Sequence, residues 1–180
     1  MAGATIRTVV CHRIGSVYAL QMIDELLGLP AHPLIVHAAV IFGPLLVAAV
    51  FAYSLVPMLR RHLGWLVIAL AVAGPATLWL ARLSGEAFRE RQIKAGAQGD
   101  LLRQISEHQN FGNWAAWTVT VLGVLAVLLV LVCTAAGKKP ATPGSRAVTY
   151  GLILITLVVG AAAGYYTFKT GHTGATTVWG

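Results

Sequence analysis

Four long apolar runs constrain this chain more than any other feature. They extend from Pro33 to about Pro57, from Leu63 to about Leu83, from about Asn113 to Ala136, and from Ala147 to Phe168. Each exceeds the roughly 20 residues a helix needs to cross the hydrocarbon core of a bilayer. Within lipid no water can pair a backbone N–H or C=O, so only helices and closed barrels span it. Strand-like alternation is absent from the runs, and helices follow. Two short connections make the expected fold an all-α, integral membrane four-helix bundle, up-down-up-down. Residues 1–31 read as a leader and 32–180 as the four-helix domain.

Composition agrees. Of the 180 residues, 57% are hydrophobic and 11% charged, against about 25% charged in soluble domains. So little polar surface excludes an ordinary soluble enzyme and a disordered tail. The net charge of +7 is not a nucleic-acid signal, because the basic residues sit at the ends of apolar runs. There they set topology and meet lipid headgroups, making the bilayer the first expected partner.

Both termini fall on one membrane side, here side A. The connections Val56–His62 and Gly137–Ser145 lie on side B and, with Arg146 just beyond, carry Arg60, Arg61, Lys138, Lys139 and Arg146 with no acid. Short basic connections count most in orientation. Side B is therefore expected to be cytoplasmic and the termini extracytoplasmic. Cys11 and Cys133 then lie on opposite sides, which makes them packing thiols rather than a disulfide. Met1–Arg13 lacks the features of a signal peptide. Leu20, Ile23, Leu26 and Leu27, at helical spacing within Val17–Leu29, predict a short interfacial helix.

The middle connection is not plain loop. Phe88–Ile93 continues the second helix, and Leu101, Leu102 and Ile105 begin the third. Ala95–Asp100 forms the break, with Asp100 as N-cap. Gly160 and Gly164 form a G-x-x-x-G pair that admits a close neighbour, either inside the bundle or in a second subunit of an oligomer. Pro44 and Pro75 are expected to kink helices 1 and 2. Trp114, Trp117 and Trp179 fit an aromatic belt on side A, and Trp65 one on side B.

Six histidines carry the candidate chemistry. His12 and His62 read as surface residues. His32, His37, His108 and His172 all fall on side A. In a hairpin of straight helices, residues equally far from the turn share a depth. That pairs Glu86 with His108, His32 with Ala87, and His108 with Gly174, close to His172. His32, Glu86, His108 and His172 thus form one layer, with His37 about 7.5 Å deeper. His32 and His37, five residues apart, point roughly 140° apart on an ideal helix and are not expected to share one ion.

Ionisable residues in membrane spans are costly and usually functional. Imidazole is the commonest metal ligand and an axial ligand of haem iron. Two cofactor classes follow: haem b held by a pair of these histidines, or a Cu, Fe or Zn ion held by three or four ligands. Arg82, Arg89 and Lys169 are candidates to hold haem propionates, and Glu86 to orient a ligating imidazole. Loss of cofactor is expected on replacing His108 or His172, and not His62. A third alternative is a non-catalytic anchoring subunit with structural histidines. No P-loop, Rossmann, zinc-protease or EF-hand motif is present.

The run Leu29-Pro30-Ala31-His32-Pro33-Leu34-Ile35-Val36-His37 resembles the entry motif of a bacterial four-helix membrane family of unknown function. The resemblance continues through Ser84-Gly85-Glu86, Glu107-His108-Gln109-Asn110 and Gly171-His172-x-Gly174, covering about residues 29–180. Where that family often has an aromatic residue or Pro soon after the second histidine, this chain has Ala38-Ala39. The resemblance implies the four-helix fold in the bacterial cytoplasmic membrane and the four histidines as ligands. Similar proteins are sometimes joined to cytochrome c or Rieske domains, which implies electron transfer. With no such appendage here, a quinone and a separate redox subunit become the expected partners.

Overall fold

The computed structural model describes residues 25–26, 29–137 and 142–179, with side chains described for 35–137 and 142–176. A two-residue strand pair comes first, β1 (Glu25–Leu26) against β2 (Leu29–Pro30), antiparallel. This replaces the end of the interfacial helix expected over Val17–Leu29. The rest of that segment lies outside the described residues, as do His12, Cys11, Lys138 and Lys139.

Four helices follow: α1 (Ala31–Leu55), α2 (Arg60–Lys94), α3 (Asp100–Ala136) and α4 (Pro143–Trp179). All four are long and apolar enough to cross a membrane. At 1.5 Å per residue, α2, α3 and α4 reach about 52–56 Å, well beyond a hydrocarbon core of about 30 Å. The expected extension of α2 and α3 past the apolar runs is therefore present. The turn between them carries Gly96 and Gly99 at positive φ, +92° and +64°, where a side chain would be strained. Asp100 is the first helical residue rather than the N-cap, and its carboxylate pairs with Arg103 at 3.3 Å.

Helix α4 starts before Ala147 for a local reason. In Thr142-Pro143-Gly144-Ser145 the Ser145 N–H donates to Thr142 Oγ1, and the Thr142 N–H donates to Ser145 Oγ. Those reciprocal bonds form a capping box, with proline at the first helical position. At the other end of side B, a short 3₁₀ turn (Pro57–Leu59) joins α1 to α2. Arg60 folds back over the Tyr53 ring, its guanidinium donating to the Tyr53 and Ser54 carbonyls at 3.1 and 3.0 Å. Those carbonyls have no partner inside α1, so Arg60 closes the C-terminus of that helix.

The helices form a ring in chain order. α1 packs on α2 and α4, and α3 packs on α2 and α4, so α1 and α3 stand diagonally opposed. Leu46, Val50, Val67, Leu122 and Leu129 are buried in the centre. Ile41, Val72, Val124, Leu131 and Val158 are exposed outside. A bundle as apolar outside as inside is stable only in lipid, which makes this a multi-pass membrane protein.

The two G-x-x-x-G glycines are used inside the bundle. A Cβ on Gly160 would meet the Phe51 ring at 2.6 Å, and one on Gly164 would meet Val47 at 3.7 Å. The pair therefore seats α4 on α1, and the second-subunit alternative loses its motif. α1 and α2 both continue through their prolines, Pro44 and Pro75.

Candidate functional site

The side A half of the ring is built from small residues. Ala39 on α1, Ala81 and Gly85 on α2, Gly112 on α3 and Thr167, Gly171 and Gly174 on α4 all face a common space. Four helices that cannot close on such short side chains leave a cavity of about 470 Å³. That lies within the roughly 300–1,000 Å³ of ligand and cofactor pockets. Leu78, Val36, Val40, Phe88 and Ile105 make most of its wall apolar. The polar groups set into it are His37, Arg82, Glu86, His108, Gln109 and Asn113.

His108 is the most constrained of these. It is mostly buried on α3, and its Nδ1 lies 3.1 Å from the Thr170 carbonyl and 3.3 Å from Thr173 Oγ1 on α4. A Cβ on Gly174 would stand 3.0 Å from its Cε1. The pairing in depth of His108 with Gly174, read from the hairpin arithmetic, is thus the one observed. His37 stands on α1, across the ring from α3, and keeps an exposed face while lining the same cavity.

Arg82 and Glu86 form a fixed pair. Arg82 Nη2 meets Glu86 at 2.9 Å one turn along α2, and its Nε donates to Asn113 Oδ1 on α3. The guanidinium also lies over the Trp79 ring at 5.4 Å. Trp79 in turn donates to Thr120 and meets Trp117 edge-on. Arg82 is thereby tied to two helices. Glu86 answers Arg82, whereas Nδ1 of His108 is answered by α4.

Arg89 lies seven residues beyond Arg82, two turns outward on nearly the same face of α2. Its Nε is buried without a hydrogen-bond partner. A buried donor left unmade costs about 1–3 kcal/mol.

The other sequence candidates separate. His172 is exposed and stacked flat on Phe168 of its own helix, 6.2 Å between ring centroids, and does not line the cavity. The backbone of His32 lies in the first turn of α1, and its side chain lies outside the described residues. Lys169 is partly buried on α4. Among the described residues, no group of three or more His, Cys, Asp or Glu side chains is placed to hold a metal ion. The sequence reading missed Asn113, Thr170 and Thr173. Their signal was weak, because a threonine in a membrane helix ordinarily bonds to its own helix. The glycines that open the cavity were visible only as parts of short motifs. Comparison of the chain with known protein families, with curated proteins and with solved structures finds no match.

Proposed function

We propose that the chain is a b-type cytochrome-like electron-transfer protein of the cytoplasmic membrane, with haem seated in the side A cavity. One observation carries this reading: His37 and His108, from diagonally opposed helices, line one largely apolar cavity. A planar group between two imidazoles needs ligands from opposite walls and an apolar slot between them. A bare ion needs three or four converging ligands, a group not found among the described residues.

The donors fit haem on a second count. Arg89 and Lys169 are not part of the cavity lining, but the orphaned Arg89 Nε, two turns outward of Arg82, is a ready partner for a propionate carboxylate at the interface. Arg82 is held by Glu86 and Asn113, so Arg89 and Lys169 carry that role in this reading. His37 and His108 would hold the haem iron, and the apolar wall would exclude water. Bound haem would supply one-electron chemistry, with a quinone in the bilayer as donor and a separate subunit on side A as acceptor.

The test is an absorption spectrum of the detergent-extracted protein, made with ample haem supply, oxidised and then reduced with dithionite. A sharp reduced α-band with a shifted Soret band is expected. A featureless spectrum would remove this reading and leave an anchoring subunit.

In this orientation the α2–α3 turn faces outward and the basic connections face the cytoplasm. A cysteine introduced at Ala97 in a cysteine-free background is expected to react with an impermeant thiol reagent on intact cells. Labelling only after the membrane is broken would reverse the orientation.

A further inference from the structure

His108 does more than line the cavity, because its ring is seated against α4. The Thr170 carbonyl oxygen can only accept a hydrogen bond, so the Nδ1 lying 3.1 Å away must be the donor. Thr173 Oγ1 has one hydrogen, with carbonyls of its own helix as acceptors, Lys169 at 2.9 Å or, longer, Thr170 at 3.2 Å. Its lone pair therefore also faces His108 Nδ1–H, at 3.3 Å. The carbonyl therefore fixes a proton on Nδ1, and Thr173 Oγ1 can accept from it as a second, longer partner. The neutral ring has only one proton, so Nε2 keeps its lone pair.

Gly174 completes the seat. A Cβ there would lie 3.0 Å from Cε1, 3.3 Å from Nδ1 and 3.8 Å from Nε2. The Cε1–Nδ1 edge of the ring thus lies over Gly174, with Nε2 the farthest of the three atoms from that position. A Cβ at 174 would make the imidazole give by a few tenths of an ångström, and a branched side chain there would crowd it further.

We propose that Thr170, Thr173 and Gly174 form a positioning seat on α4 that locks His108 as the Nδ1–H tautomer, presenting Nε2 as a preformed ligand to an electrophilic centre in the cavity. Thr170 acts through its backbone, Thr173 through its hydroxyl, and Gly174 through the absence of a side chain. All three are positioning residues. Outer partners of this kind commonly change ligand affinity by about 10–100-fold. The proposal deepens the haem reading by naming what orients its ligand, yet the tautomer is a property of the protein before any cofactor binds.

The experiment exploits that independence. The full chain, prepared in detergent without haem and labelled with ¹⁵N-histidine, is measured by long-range proton–nitrogen correlation at a pH where His108 is neutral. His108→Gln assigns the signal. The Nδ1–H pattern is expected in the wild type. Thr173→Val is expected to weaken the preference and Thr173→Ser to restore it. Gly174→Val is expected to give a mixed or reversed pattern while the helical circular dichroism is kept. An Nε2–H pattern in the wild type overturns the proposal outright, even if the Gly174 variant fails to fold. An unchanged Nδ1–H pattern in a folded Gly174→Val also overturns the seat. The Nδ1–H pattern in a protein whose spectrum shows no haem upholds the seat while removing the haem reading.

Discussion

His37→Ala and His108→Ala are each expected to strip haem from the purified protein, while His62→Ala and His172→Ala leave it in place. The sites differ in where their side chains stand, not in residue type. His37 and His108 line the cavity from opposed helices. His62 is on side B, its Nε2 accepting from Arg61 Nε at 3.2 Å. His172 is on the correct side but exposed and stacked on Phe168. Losing an outer partner of a ligand costs about 10–100-fold in affinity, and losing the ligand itself is expected to cost more. The readout is the haem-to-protein ratio, together with loss of the low-spin bis-imidazole spectrum. Haem loss in His172→Ala with retention in His37→Ala would move the ligand pair onto α4 and sink the diagonal arrangement.

This contrast with the sequence expectation, which grouped His172 with His108, shows where reading a membrane sequence stops. Depth is legible because it follows from a fixed rise per residue and from turns that glycines and short connections mark. The sequence accordingly places His108 opposite Gly174, where the structure has it. Rotation about the helix axis is not legible in the same way. A soluble helix announces its inner face by an apolar stripe. Here lipid is as apolar as the core, so Ile41 facing out and Leu46 facing in look alike in the sequence. His172 has the right depth and the wrong rotation. The same blindness left the Gly160/Gly164 pair undecided between α1 and a second subunit. It also hid the cavity, which exists because small residues from four helices coincide at one level. The capping box at Thr142 and Ser145 is legible, since its two hydroxyl residues flank Pro143 three positions apart.

The largest effect on stability is expected at Gly123, not at the glycine with the shortest contact. A Cβ on Gly160 would lie 2.6 Å from Phe51 Cε2, and one on Gly123 would lie 2.8 Å from the Ala71 carbonyl oxygen. The Phe51 ring is the end of a side chain and can swing aside. The Ala71 carbonyl belongs to the backbone of α2 and cannot move without the helix. Pro75 explains why that carbonyl is open. Residue 75 would normally donate its N–H to the carbonyl four residues earlier, and proline has none. The freed Ala71 oxygen then faces Gly123, whose missing side chain leaves it room. Gly123→Ala is therefore expected to lose about 1–3 kcal/mol through overpacking, and Gly123→Leu to prevent a folded bundle from being isolated. Gly160→Ala is expected to cost less than Gly123→Ala. Gly151→Ala, where nothing lies within 4 Å of the added Cβ, is expected to be neutral or slightly stabilising, since alanine is the better helix former. Thermal unfolding of the three alanine variants in one detergent checks the order, and the yield of folded Gly123→Leu checks the extreme. A Gly160 variant less stable than the Gly123 variant would show that the Phe51 ring, not the Pro75-opened backbone, is the rigid element of the packing.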